Sequence, residues 1–288
     1  MAENPLTVFG DLGKPATILI EKISDAVGGI FKPWQKIRVA RAEAEVDLIQ
    51  AESQILITDL HRRAMRRFIE EEAKKQSNIE DITQNALPLL KDDSSPQNVE
   101  DDWITNFFDK CRIISDKEMQ RLWSNILAGE ANAPGAFSKR TVNLLADLDK
   151  SDAELFTRLC GFGWIIGNLV PLVFDIPDEI YNRHGINFNS VGHLETLGLV
   201  QFNMLSGYRR LGLPKVFNVF YYGQPLELKF PKESDNEIDL GKVLLTKAGQ
   251  ELAPVCGSRP VDGFFDFVYE RWSKRSYIPK KDPIQTGE

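Results

Sequence analysis

The sequence predicts a mainly α fold with a smaller α+β part. Three observations carry this: a run from Trp34 to Gln76 without Gly or Pro and dense in Ala, Glu, Arg, Leu and Gln, amphipathic helical patterns between residues 77 and 160, and strand-like runs bounded by Gly and Pro that begin only beyond Phe174. The chain of 288 residues is long enough for about two domains. With 42% hydrophobic and 27% charged residues, the composition excludes fibrous and fully disordered classes.

From the N-terminus, the stretch Leu6 to Phe31 sets Leu19, Ile23, Val27 and Ile30 three and four residues apart, the spacing of one helix face. Its polar face offers Lys14, Lys22 and Lys32 against Asp11, Glu21 and Asp25, whereas helices that seek membrane surfaces are richer in cations, so packing on protein is expected. Pro33 suits a first helical turn and opens the long run. Alternating steps of four and three from Ile37 give Ile37, Arg41, Ala44, Leu48, Ala51, Ile55, Thr58, Arg62, Met65 and Ile69, of which seven of ten are apolar. A parallel row of Val39, Val46, Ile49, Leu56 and Leu60 makes the stripe wider than a narrow coiled-coil seam. At ~1.5 Å per residue this is a rod of ~60 Å, longer than a compact domain needs. The seam of Ile37, Ala44, Leu48, Ala51, Ile55, Met65 and Ile69 must therefore be covered by later helices or by another copy of the chain, and an oligomerisation surface is expected.

Ser77-Asn78-Ile79-Glu80 has capping-box spacing, so a new helix is expected to start there and run to about Leu87, before Pro88. Residues Lys91 to Asp102 are polar and mostly acidic and read as a linker or exposed turn. Helical patterns follow at Trp103 to Arg112 and Asp116 to Glu130, and Pro134-Gly135 interrupts them. Ser138 caps a further helix, and Ser151-Asp152-Ala153-Glu154 is a capping box opening onto Leu155, Phe156 and Leu159. The most apolar stretch, Leu159 to Phe174, is 16 residues long and punctuated by Gly161, Gly163, Gly167, Asn168 and Pro171, so it reads as buried core and not as a bilayer span.

Beyond Phe174, Pro177-Asp178 starts a short helix through Tyr181, and Asn189 or Ser190 caps another through Leu197, with Gly198 after it. Leu199-Val200 opens a strand. Further strand-like runs are Val216 to Tyr222 and Leu226 to Phe230 around a turn at Gly223-Gln224-Pro225, then Ile238 to Leu245, after which Thr246 caps a short helix through Leu252.

Thirty-five Lys and Arg against 42 Asp and Glu give a net charge of −7, so there is no global basic field for nucleic acid, and DNA binding would need a local patch. Cys111, Cys160 and Cys256 are odd in number and far apart, which fits reduced thiols in the cytoplasm, with Cys111 and Cys160 in apolar runs as core residues. No catalytic set, cofactor motif or metal-ligand spacing is read: His61, His184 and His193 share no His-x-x-x-His spacing, and no phosphate-binding loop or nucleophile elbow is present. His193-Leu194-Glu195 with Pro254-Val255-Cys256 echoes a zinc deaminase signature, but Val255 intervenes and Arg259 stands where the second cysteine belongs. Arg62, Arg63, Arg66 and Arg67 read as a solvated face, since Glu70 and Glu71 lie four residues beyond Arg66 and Arg67.

Two short helices ending in Leu197-Gly198-Leu199-Val200, a β hairpin, and Leu244-Leu245-Thr246-Lys247-Ala248-Gly249 resemble a winged helix. That resemblance implies a recognition helix and a wing, yet Ser190 to Leu197 holds His193 and Glu195 and no Lys or Arg; Arg209, Arg210 and Lys215 near the wing are the candidate nucleic-acid contacts, with Glu233, Asp235, Glu237 and Asp239 crowding them. More widely, Arg41-Ala42-Glu43-Ala44, Gln76-Ser77-Asn78-Ile79-Glu80, Leu122-Trp123-Ser124-Asn125-Ile126-Leu127-Ala128-Gly129-Glu130, Pro134-Gly135 and Phe137-Ser138-Lys139-Arg140 resemble an uncharacterised bacterial family, a domain of unknown function. The rod followed by a Leu-Trp-x-x-Ile-Leu segment is also distantly similar to the abortive-infection alpha proteins, which implies a setting in phage defence.

The resulting expectation is a long N-terminal helix with its amphipathic lead (1–90), a helical bundle (91–174), a C-terminal winged-helix-like domain (175–258) and a terminal helix and tail (259–288). The expected function is a cytoplasmic, non-enzymatic, self-associating adaptor or effector whose C-terminal module docks a protein partner. A DNA-binding regulator and a membrane-acting toxin are the alternatives.

Overall fold

A computed structural model describes residues 13–27, 59–275 and 277. They form an α+β protein of two compact units, Met1–Ala146 and Asp147–Glu288. The first unit is helical: α1 (Lys14–Val27), α2 (Asp59–Ala86), α3 (Asp101–Cys111), α4 (Lys117–Asn132) and α5 (Lys139–Ala146). The stripe of α1 faces inward, with Ala16, Leu19, Ile20 and Ile23 buried against α3 and the 3-10 turn Pro96–Asn98. Helix α2 packs on α4, and α3 packs on α5. Their shared core is aromatic: Trp103, Phe107, Phe108 and Trp123 are all but inaccessible, and the Phe107 ring centroid lies 5.0 Å from that of Trp103 and 5.1 Å from that of Trp123.

Three sequence expectations change here. The first is the break at Ser77, because α2 runs through it as one 28-residue helix. Asn78 is buried in mid-helix, and its amide donates to the Arg112 carbonyl oxygen at 2.8 Å, while Gln120 Nε2 donates to Asn78 Oδ1 at 3.1 Å. Tertiary partners thus take the polar side chain that would otherwise compete for the helix backbone. The second is the linker at 91–102, which is docked: Ser95 N–H donates to the Ala131 carbonyl at 3.0 Å, and Pro96 and Val99 are buried. The third is the capping box at Ser151, which sits two residues earlier, with Asp149 as cap and Asp152 reaching back to it. Of the predicted long helix, Trp34 to Thr58 lies outside the described residues.

The second unit begins with α6 (Lys150–Cys160) and continues through β1 (Gly163–Ile166), β2 (Asn168–Pro171), α7 (Glu179–Asn182), α8 (Phe188–Thr196), β3 (Val200–Phe202), β4 (Tyr208–Leu213), β5 (Val216–Tyr221), β6 (Gln224–Lys229), β7 (Asn236–Gly241), β8 (Val243–Leu245), α9 (Lys247–Leu252) and α10 (Phe264–Lys274). The apolar stretch Leu159 to Phe174 forms the end of α6 and an antiparallel hairpin, β1–β2, with Phe162, Trp164, Ile166, Leu172 and Val173 buried. Sheet order is β2-β1-β5-β6, with separate ribbons β3-β8 and β4-β7. The helix expected to be capped by Asn189 or Ser190 is capped by Asn187, which accepts from Ser190 N–H at 3.1 Å.

Two strand readings also change. The β5–β6 turn is Tyr222-Gly223, both at positive φ, so Gln224 and Pro225 belong to β6; this two-residue connection matches the twist of the strands it joins. The run Ile238 to Leu245 divides into β7 and β8 at Gly241, where φ is 83° and a Cβ would overlap the Val173 carbonyl. Most consequentially, the β5–β6 hairpin pairs with β1, Ile165 opposite Phe220, and so joins the four-stranded sheet. The ribbon expected to carry the wing is instead built from β4 and β7.

Candidate functional site

Helix α2 carries one apolar sector over its described length. Toward its C-terminal end Ile79, Ile82, Thr83 and Ala86 are buried. At about 100° per residue, Phe68 falls in line with Ile79 and Ala86, and Met65 with Thr83, so the same sector continues toward the N-terminal end. There Phe68 is 59% exposed, Met65 41% and, at the edge of the sector, Leu60 64%. Of the seven seam residues predicted, Met65 is exposed and Ile69 half-buried, while Ile37, Ala44, Leu48, Ala51 and Ile55 lie outside the described residues. Phe68 and Ile69 also line a groove of about 480 Å³ with Val27, Gln76, Phe108 and Arg112.

Charge on the open half is arranged in blocks. Arg62 and Arg63 pair with Asp59 at 3.9 and 2.9 Å, Arg66 with Glu70 at 3.1 Å and Arg67 with Glu71 at 3.2 Å, all on exposed side chains. The four arginines are therefore the solvated face that their spacing predicts, each pair worth about a few tenths of a kcal/mol. Read along the helix, residues 62–67 form a basic block and Glu70, Glu71 and Glu72 an acidic one.

Of the motifs that carry the wider resemblance, Arg41 to Ala44 lies outside the described residues, and those at 76–80, 122–130 and 134–140 supply buried polar contacts. Gln120, Asn78 and Ser124 form a buried polar chain between α2 and α4, and Ser124 Oγ donates to the Ile82 carbonyl at 2.9 Å. The buried Glu130 carboxylate accepts the N–H groups of Gly135 at 2.7 Å and Phe137 at 2.9 Å, which fixes the turn between α4 and α5. Trp103 Nε1 closes the same turn by donating to the Phe137 carbonyl at 2.7 Å. These buried groups meet one another's hydrogen-bonding needs.

In the second unit the predicted nucleic-acid contacts are committed to partners within the chain. Arg209 Nη1 pairs with Glu237 at 2.9 Å, Lys215 Nζ with Glu233 at 2.6 Å, and Arg210 donates to the Ile166 carbonyl while lying over the Phe217 ring. His193 Nε2 lies 2.7 Å from Asp152 Oδ1, joining α8 to the first turn of α6, and Glu195 accepts the Phe202 N–H at 2.8 Å. The deaminase echo is thus not assembled into one site. Among the described residues, no group of three or more His, Cys, Asp and Glu side chains is placed to hold a metal ion, and no helix is long and apolar enough to cross a membrane.

A family model described as protein of unknown function, DUF2806, matches residues 62–268. The chain belongs to this family. The DUF2806 match begins inside α2 and ends inside α10, so it takes in the open half of α2, the polar chain around Asn78 and the whole sheet of the second unit. No curated protein and no solved structure matches the chain.

Proposed function

We propose that this DUF2806 protein is a non-enzymatic, self-associating adaptor in which α2 pairs with α2 of a second copy, antiparallel, about a two-fold axis near Phe68. The observation that carries this reading is the apolar sector of α2, buried around Ile79 and Ile82 and open at Leu60, Met65 and Phe68. A two-fold interface uses one surface twice and must be complementary to itself. A basic block followed by an acidic block meets that condition only in antiparallel register, where Arg67 of each copy, at one flank of the apolar sector, faces Glu71 at the same flank of the other. The sequence stripe through Ile37, Ala44, Leu48, Ala51 and Ile55 extends the same apolar periodicity upstream. Such a protein works by bringing together what its copies carry.

A winged-helix-like docking module is supported by the order α7, α8, β3, β8 and α9, with the β4–β7 ribbon between β3 and β8 and the β5–β6 hairpin inserted into that ribbon. With Arg209, Arg210 and Lys215 held internally, its surface suits a protein partner better than phosphate. The setting in phage defence is carried by the resemblance to abortive-infection alpha proteins.

Light scattering at micromolar concentration tests the pairing. Wild-type protein is expected as a dimer, and Arg67→Glu, or Glu71→Lys, is expected to give monomers. Mixing the two variants should restore a heterodimer, because each supplies the charge the other lost. A monomeric wild type removes the assembly, and variants that still self-associate remove the antiparallel register.

A further inference from the structure

Cys160 ends α6 and Cys256 follows α9, and the fold brings the two thiols side by side. Their backbones are pinned on both sides. Thr157 Oγ1, one helical turn before Cys160, donates to the Cys256 carbonyl oxygen at 3.2 Å. The Tyr222 hydroxyl lies 3.1 Å from the Cys160 carbonyl oxygen and 2.7 Å from Ser258 Oγ, so the turn after β5 ties the end of α6 to the segment that follows Cys256. Cys160 is buried and Cys256 is half-buried, which leaves one sulfur reachable with the other behind it.

The surroundings of the two sulfurs differ in kind. The Cys256 thiol donates to the Ala253 carbonyl oxygen at 3.2 Å, and the Cys160 thiol, the Ser258 N–H and the hydroxyls of Ser258 and Thr157 gather around its sulfur; this surrounding, the Cys160 thiol foremost, lowers its pKa to about 7 against the opposing effect of burial. Burial pushes the Cys160 thiol well up, and the neighbouring Cys256 adds to that. The reachable sulfur is therefore also the more readily ionised of the two, the division of roles found in a nucleophile and its resolving partner.

We infer that Cys256 and Cys160 form a peroxide-reactive dithiol that closes to a disulfide within the chain. The Cys256 thiolate attacks one oxygen of a hydroperoxide, so an S–O bond forms as the O–O bond breaks, and the departing alkoxide or hydroxide takes a proton from solvent. Cys160 sulfur then attacks the Cys256 sulfenic sulfur; the S–S bond forms, hydroxide leaves and carries off the Cys160 proton as water. Two electrons pass from the two sulfurs to the peroxide. The closed bond fastens the end of α6 to the connection between α9 and α10.

The test uses the full chain, reduced, exposed to hydrogen peroxide, blocked at free thiols and mapped without reductant. A linked Cys160–Cys256 peptide pair is expected in the monomeric mass, with the buried Cys111 still reduced. In Cys160→Ser the reaction should stop at a Cys256 sulfenic acid that dimedone captures, and Cys256→Ser should leave Cys160 unreacted. Alkylation of Cys256 in the untreated protein should rise through a midpoint of about 7. Cys256 hyperoxidised beside a reduced Cys160, Cys256 left untouched, or links only between chains would each overturn the inference. The wild-type peptide map needs no variant, so it discriminates among these outcomes even where a substitution fails to fold.

Discussion

The two halves of α2 set apolar side chains into the same sector of one helix, yet one half lies under α4 and the other is open to solvent. Periodicity is alike on both sides of residue 75, so an amphipathic pattern shows that a face is suited to burial and leaves open what will cover it. The covered half is also the polar-anchored half: Asn78 and Ser124 are buried there with their hydrogen bonds satisfied. The open half carries exposed ion pairs, which contribute little.

The largest effect expected from this contrast is at Ile82, which is fully buried. Ile82→Ala should lower the unfolding free energy by about 2–5 kcal/mol in urea denaturation. Phe68→Ala should leave the stability of the monomer within ~0.5 kcal/mol but weaken self-association by roughly 30-fold or more. Equal losses of stability at the two positions would erase the distinction between the halves. Next is Glu130→Ala, which strips the Gly135 and Phe137 N–H groups of a buried acceptor; a loss of about 3 kcal/mol is expected, measured the same way, with Glu130→Gln milder.

Asn78→Ala should cost about 1–3 kcal/mol, because it leaves the Gln120 amide and the Arg112 carbonyl short of a partner. If that substitution is neutral, the polar chain does not anchor the covered half. The smallest effect is expected at Arg209→Ala, within ~0.5 kcal/mol for an exposed pair. It should also leave retention on duplex DNA unchanged at low salt. Salt-dependent retention lost in this variant would instead favour the DNA-binding alternative.

Local signals read well from the residues. Thr246 caps α9, as its position before a helical pattern indicates, and the pattern from Asp116 to Glu130 is α4 with Asp116 as its cap, accepting from the N–H groups of Glu118 and Met119. The strand runs read at 216–222 and 226–230 fall on β5 and β6, with the turn displaced to Tyr222-Gly223. Their partner is not legible in the residues, because strand pairing depends on which edge is free once the chain has collapsed: β5 meets β1, some fifty residues upstream, instead of closing a wing. Strand β4, Tyr208–Leu213, has no usable pattern, since its burial is irregular and its ladder with β7 is broken by two register shifts.

The candidate sites divide the same way. Pairing of Arg66 with Glu70 and Arg67 with Glu71 follows from four-residue spacing and needs nothing else. The meeting of Cys160 with Cys256 has no sequence signal, as neither spacing nor neighbouring residue types mark it; Thr157, Tyr222 and Ser258 surround the pair only after α6, β5 and the segment beyond α9 have come together.

The order of residues is enough to set most of the helical segments, some of their caps, the β5 and β6 runs, the excess of acid over base and the apolar stripe of α2, because each depends on residues within a turn or two of one another. Packing of the whole chain is needed to settle that Asn78 continues a helix, that the hairpin β5–β6 joins β1, that Arg209, Arg210 and Lys215 turn to partners in their own chain and that Cys160 and Cys256 share a pocket of donors. Those outcomes rest on groups distant along the chain competing for the same buried hydrogen bonds and apolar surface, and that competition is resolved only when the core closes.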